Sequence, residues 1–388
     1  MPTIRTGAMA LALLSLGHFF IDLYSAALSA LQPRLAETLG LSLTQAGILG
    51  GLLVFSSSVC QPLYGLLSDR FHTRLFTVLS PAIAGIFISS LNLAPSFGWL
   101  LPLVFLGGAG VAAFHPQASA RVTMGVAEAR ARWMAYFISA GTLGMALGPT
   151  FFSFVPNWLG FEHTHWAAVP GILCSALLWA TLPEVSRPAQ RVRFDLEPLR
   201  AVRRPLTILY FCVFIRSIVQ VTFTQMLPLY LSRERGFSVD QSNYVLSFYL
   251  ASGAIGGMVG GTLADKLGGR KVIMFSFLGS VPLLILFFAA TGWVSLTGLL
   301  LGGLVLLFTI PVNVVMAQEL APGQTSTVSA LMMGFSWGMS GLLFVPLTGW
   351  ASDLWSMHRV LFVLALFPAA GFFLARMLPD DRPGSRRA

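Results

Sequence analysis

The chain has 388 residues, of which 55% are hydrophobic and only 10% charged, and its mean hydropathy is +0.76. A soluble domain carries about a quarter charged residues, so a chain this apolar must turn most of its surface to hydrocarbon. The net charge of +9 then reads as basic loops gathered on one side of a membrane, and no nucleic-acid partner is expected.

A helix that crosses a bilayer needs about 20 mainly apolar residues. Cutting the apolar runs at charged or Pro/Gly-rich gaps gives twelve spans, centred near residues 20, 55, 85, 110, 143, 173, 218, 253, 281, 305, 337 and 366. The first run, 8–31, is too long for the core of a signal peptide and carries His18 and Asp22, so it is expected to be a retained first helix. Between the sixth and seventh spans, residues 183–204 hold Arg187, Arg191, Arg193, Arg200, Arg203 and Arg204. That shift divides the chain into a six-helix half over 1–183, a basic cytoplasmic linker over 184–204 and a second six-helix half over 205–388. With both termini in the cytoplasm, 19 of the 24 Lys and Arg residues fall in or beside inside segments, which sets the orientation. Cys60, Cys174 and Cys212 all lie in apolar runs and read as small core residues rather than a disulfide framework.

Two short charged hairpins interrupt this pattern 196 residues apart. The first reads Gly65-Leu66-Leu67-Ser68-Asp69-Arg70, followed by His72 and Arg74. The second reads Gly261-Thr262-Leu263-Ala264-Asp265-Lys266-Leu267-Gly268, followed by Arg270 and Lys271. Away from the hairpins, Pro33 and Pro116 match Pro228 and Pro311 at an offset of 195, and Gly141, Gly144 and Pro149 match Gly338, Gly341 and Pro346 at 197. Five matches at nearly one offset indicate two parallel repeats, and such transporters hold substrate between the repeats near the bilayer midplane.

The hairpins resemble the loop motif of the major facilitator superfamily, G-x-L-a-D-r-x-G-r-k. The second copy keeps the internal glycine at Gly268, and the first has His72 there. The segments 15–22 (Ser-Leu-Gly-His-Phe-Phe-Ile-Asp), 114–121 (Phe-His-Pro-Gln-Ala-Ser-Ala-Arg) and 141–149 resemble the fosmidomycin-resistance branch of that superfamily. The resemblance implies an all-α membrane protein of twelve transmembrane helices in two pseudo-symmetric six-helix halves, working as a monomer. It further implies a drug exporter of the bacterial inner membrane that exchanges protons for its cargo. Gly144-x-x-x-Gly148-Pro149 resembles the antiporter motif of exporters, although Thr150-Phe151-Phe152 follows it here.

An ionisable side chain inside a bilayer costs at least ~2.5–3.5 kcal/mol and asks for a reason. Asp22 lies mid-span with His18 one turn earlier on the same face. The two can hold and release a proton, or they can lock neighbouring helices as a structural polar pair. Arg216 lies in the seventh span within one residue of the position equivalent to Asp22, with Gln220 one turn on. It can pair with Asp22 in one state, bind an anion through its planar fork, or serve a structural ion pair. His115 precedes the kink-prone Pro116 and reads equally as a helix-packing residue or a titrating one; Arg121 follows near the inner mouth. Gln117 and Asn313 are candidate cavity-lining groups, and Phe335 and Trp337 candidate aromatic walls. The hairpin residues Asp69, Arg70, Arg74, Asp265, Lys266 and Arg270 read as gates between access states, or as solvated topogenic charges. The Gly144/Gly148 spacing, like that of Gly253, Gly256, Gly257, Gly260 and Gly261, allows close helix packing. No P-loop, metal-spaced His/Cys cluster or hydrolase elbow appears, so no enzyme, metal or cofactor is expected. The expected function is proton-coupled export of a small compound or drug, an anion being one option, with the proton gradient as energy source. The alternative is proton-coupled import of an anion or metabolite on the same fold.

Overall fold

A computed structural model describes residues 4–71, 73–122, 130–183 and 197–379; the linker arginines Arg187, Arg191 and Arg193, His72 and the tail from 380 onward lie outside the described residues. Among those described there is no strand. Ten helices are long and apolar enough to cross a membrane: Gly7–Leu39, Leu43–Ser68, Phe97–Val122, Arg132–Leu159, Arg203–Glu234, Val239–Leu267, Gly269–Ala289, Gly292–Leu320, Thr327–Leu354 and Met357–Ala375. The third and sixth positions are filled by shorter apolar helices, Ser80–Leu93 and Val169–Thr181. The sixth starts late because the positive-φ Gly160 and a 3₁₀ stretch, Phe161–Ala168, precede Pro170. Every expected centre falls inside one of these twelve segments.

The same packing recurs in both halves. The first helix lies on the fifth as the seventh lies on the eleventh, and the third packs on the fourth and sixth as the ninth packs on the tenth and twelfth. Second on fourth is repeated by eighth on tenth. The second helix of each half also begins alike. Ser42 and Ser238, 196 residues apart, each accept the N–H of the residue three further on, Gln45 and Gln241, whose side chains reach back to the serine N–H. These capping boxes satisfy two backbone donors that a helix start otherwise leaves open.

The halves meet where the second helix packs on the eleventh, the fifth on the eighth and the first on the seventh. Polar bonds between them gather at the end opposite the hairpins. Asp353 accepts from the N–H groups of Leu43 (2.9 Å) and Thr44 (2.8 Å) and from the Thr44 hydroxyl (2.6 Å). Asp240 accepts from Ser153 and from Arg34 (3.4 Å), and Asn243 donates to the Ala30 carbonyl (3.2 Å). At the hairpin end, Gln61–Phe71 packs on the fourth helix of its own half, and Thr325–Ala330 on Thr309–Leu320 of its own. The second and eleventh helices each contain a π-helical turn, Phe55–Val59 and Leu331–Phe335, and the two turns touch. A π turn breaks the regular helical ladder and often marks a functional segment; neither was anticipated from the sequence.

Candidate functional site

In the first half, three ionisable groups converge. Asp22 is buried on the first helix, and its Oδ2 lies 3.3 Å from Nε2 of His18, one turn earlier. Its Oδ1 lies 3.3 Å from Nε2 of His115, delivered by the fourth helix. The other nitrogen of each imidazole is bound to a backbone carbonyl: His18 Nδ1 to Phe137 at 2.8 Å and His115 Nδ1 to Val111 at 2.9 Å. Phe137 also stacks on the His18 ring at 4.2 Å, and the two imidazoles meet edge to face at 5.0 Å. The fifth helix closes this site because it has no side chain at position 141. A Cβ there would stand 2.5 Å from both Asp22 Oδ2 and His18 Nε2. One helical turn on, a Cβ at Gly144 would run into the Phe19 carbonyl, and one at Gly148 would come within 2.6 Å of the Leu23 carbonyl. Pro149 continues the same helix. The glycine row thus brings the fifth helix onto the first.

In the second half, Arg216 is buried on the seventh helix. It donates to Gln220 Oε1 (2.6 Å) and to the Ser217 hydroxyl (2.9 Å), and its guanidinium lies 6.0 Å from the Trp337 ring. Its Nε is buried with no partner, and so are both amide atoms of Asn313. Arg216, Asn313 and Trp337 line a cavity of about 110 Å³ with Val213, Ile310 and Met332. Phe335 is half exposed, 6.4 Å from the Tyr210 ring, and is not among the residues lining this cavity. The buried phenol of Tyr249, also unpartnered, lies within electrostatic reach of Arg216. Unpartnered buried donors of this kind are costly unless something fills them. Asp22 and Arg216 do not form a salt bridge here: Asp22 faces two histidines, and Arg216 faces two neutral side chains.

The remaining candidates sit at the hairpins. Gln117 is tied to the first hairpin, accepting from the Thr77 N–H (3.0 Å) and hydroxyl and donating to Ser68 (2.6 Å) and the Thr73 carbonyl. Arg74 donates to the Leu182 carbonyl and lies over Trp179, Arg121 donates to the Pro183 carbonyl, and Arg270 donates to the Arg376 carbonyl at 2.6 Å. A basic residue of each hairpin thus reaches carbonyls at the end of the last helix of its own half, where the helix dipole favours a cation. Arg70, Asp265 and Lys266 are exposed, and the Asp69 side chain lies outside the described residues. Sequence reasoning missed Phe137, Tyr249, Asn243 and Asp353. Tyr249, a phenol inside an apolar run, and Asp353, an acid at a span end, were the readable signals.

Two matched half-bundles, meeting along their inner helices with buried ionisable groups on the first and seventh, define a membrane transporter. The chain belongs to the Major Facilitator Superfamily, whose family profile matches residues 14–332 and 209–388. It is 28% identical to the "Fosmidomycin resistance protein" of Escherichia coli (strain K12), over 97% of this chain and 94% of that one. It is 30% identical to the MFS-type transporter YfnC of Bacillus subtilis (strain 168), over 96% and 93%. In fold it is similar to a bacterial homologue of the human lysosomal transporter Spinster, solved in an inward-facing and occupied conformation. That comparison has a TM-score of 0.80 at 17% identity and covers 97% of this chain and 99% of the other. The family consists of transporters, and this chain is not an enzyme.

Proposed function

We propose that the chain is a proton-coupled antiporter of the bacterial inner membrane that exports a small organic anion of the fosmidomycin kind by alternating access. The observation that carries this reading is the division of the buried charges. The first half holds Asp22 between two imidazoles, a unit suited to taking up and releasing protons. The second half holds a buried guanidinium with no acidic neighbour among the described residues, beside the open amide of Asn313 and a small cavity. An anionic cargo would supply the missing counter-charge, and protonation of the first half would favour its release.

In this reading both termini and both hairpins face the cytoplasm, in line with the placement of the basic residues. The end where Asp353 and Asp240 bond across the halves is then the outer one. The energetics favour export: carrying one negative charge out of a negative interior gains about 2.3 kcal/mol per 100 mV, and the inward proton adds a similar amount. The test is uptake of fosmidomycin into inside-out vesicles with an imposed interior-acid pH gradient. Gradient-driven accumulation supports the proposal. Accumulation only when protons and cargo run in the same direction would instead make the chain an importer, and no uptake by folded protein would detach it from this cargo.

A further inference from the structure

We infer that the His18–Asp22–His115 unit carries two exchangeable protons, so that two protons move per transport cycle; this rests on the proton-coupled reading above and adds its stoichiometry. The inference is a count of hydrogens. Phe137 and Val111 meet the histidines through carbonyl oxygens, which only accept, so His18 and His115 both carry a hydrogen on Nδ1. Each Nε2 then faces an oxygen of the same carboxyl group at 3.3 Å, and the two use different oxygens. With Asp22 ionised and both imidazoles neutral, two nitrogen lone pairs would point at a carboxylate, and neither contact would contain a hydrogen.

One added proton satisfies one contact and leaves the other repulsive. Two added protons satisfy both, whether they sit on both histidines or on one histidine and the carboxyl. The arrangement is therefore the doubly loaded unit, with a net charge one positive relative to neutral. Low dielectric surroundings enlarge the penalty for an unmade contact. Among the described residues the surroundings supply no competing ionisable partner. The fifth helix presents Gly141 and the Phe137 ring, and its Tyr136 is exposed. From the fourth helix come His115 and the Phe114 ring, while Arg121 is committed to Pro183. On the sixth helix, Cys174 sits beside Tyr24, whose hydroxyl is tied to Ala167 and Gly171. The third helix, Ser80–Leu93, contains no ionisable side chain.

The two positions differ in access. The His115 side chain is 26% exposed and the His18 side chain 8%, so His115 is the port and His18 the inner store, with Asp22 passing protons between them.

The experiment is a zero-flux titration in proteoliposomes clamped at zero membrane potential, with fosmidomycin as probe. A tenfold cargo gradient equals about 1.4 kcal/mol, as does one pH unit per proton. Two protons per cycle therefore balance it at a pH difference of about 0.5, and one proton at about 1. The native protein is expected at about 0.5 and His18→Gln at about 1. A native balance at 1, or a His18→Gln balance still at 0.5, overturns the inference.

A second measurement stands apart from transport: ¹⁵N-histidine NMR of the full-length protein in lipid, with His18→Gln and His115→Gln to assign the signals. It is expected to show no unprotonated Nε2 lacking a hydrogen-bond donor at either site in the loaded state, and proton loss from both sites on raising the pH. A site with a bare Nε2 facing an ionised Asp22 in that state overturns the count. If no pH gradient ever drives flux, the proton-coupled reading and the stoichiometry per cycle fail together, and the NMR result decides only whether the unit holds two exchangeable protons.

Discussion

Asp353, near the end of the eleventh helix, caps the start of the second helix through Thr44, its Oδ2 accepting both the Thr44 N–H at 2.8 Å and the Thr44 hydroxyl at 2.6 Å. The contact joins residues 309 positions apart and bridges the two halves. It has a counterpart on the other seam, where Asp240, 196 residues after Thr44, accepts from Ser153 on the fifth helix and from Arg34 on the first. In both places the capped start of a half's second helix is gripped by the other half. These bonds exist only while that end is closed, so they weigh directly on the equilibrium between access states. Asp353→Asn leaves one acceptor for three donors. Hydrogen bonds to an ionised group contribute about 1.5–3 kcal/mol when shielded; at this exposed position about 1 kcal/mol is expected, or roughly fivefold in population. Spin labels placed across the sealed end should show a larger fraction of long distances in Asp353→Asn and Thr44→Val than in the parent. An unchanged distribution would mean that apolar packing of the second helix on the eleventh holds the seal alone.

Arg216 is the group whose loss should fall on cargo rather than on protons. Its Nε and the Asn313 amide are buried without partners, and Trp337 lies against the guanidinium. Arg216→Ala is expected to weaken binding of an anionic cargo at least about tenfold, or 1.4 kcal/mol. Arg216→Lys should recover part of the charge and none of the planar fork. Fosmidomycin binding to purified protein, compared with a neutral analogue, reads this out. Equal losses for both would assign Arg216 to helix packing.

Asp22→Asn should abolish proton-driven flux and leave cargo counterflow, because Asn can still lie between the two imidazoles without cycling its own proton. Its amide can donate to one imidazole and accept from the other but cannot take up and hand on a proton, so no proton passes between His18 and His115 through position 22. Counterflow at near-parent rates with no response to a pH gradient is the expected pattern. Driven flux that survives unchanged would remove Asp22 from the coupling.

The twelve spans and the two-half plan were legible because they are properties of composition and of matches at a fixed offset, both local in sequence. Asp22 and His18 could be placed on one face for the same reason, since four residues make one helical turn. His115 could be grouped with Asp22 and His18 as a proton-handling residue, but its contact with Asp22 could not be read, because only the packing of the fourth helix on the first brings them together. The Phe137 carbonyl, which fixes the His18 tautomer, carries no signal at all: any residue has a backbone carbonyl. Gln117 illustrates the converse. A polar residue beside His115 invites placement in the cavity wall, yet its amide is spent on Ser68, Thr73 and Thr77. The π turns escaped because Phe-Ser-Ser-Ser-Val and Leu-Met-Met-Gly-Phe fit an ordinary helix equally well, and contact between the second and eleventh helices is not visible in either stretch alone.

Gly141 and Gly144 lie one turn apart on the same helix, yet substitutions at the two should fail differently. A Cβ at Gly144 meets the backbone of the first helix at Phe19, and neither helix can yield without moving the other. Gly144→Ala is expected to cost about 1–3 kcal/mol through overpacking, seen as a lower Tm and reduced yield of folded protein. The atoms nearest a Cβ at Gly141 are side-chain atoms, of the Asp22 carboxyl and the His18 imidazole. Those groups can swing aside, so Gly141→Ala should fold nearly as well as the parent while the contact between Asp22 and His18 opens. Proton-driven flux should then fall about tenfold, the worth of one lost hydrogen bond to a charged group, with cargo affinity retained. The paired measurement of Tm and driven flux separates the two positions. A fall in Tm at Gly141→Ala as large as at Gly144→Ala would show that the row acts only in packing, and unchanged coupling there would show that the Asp22–His18 contact is dispensable.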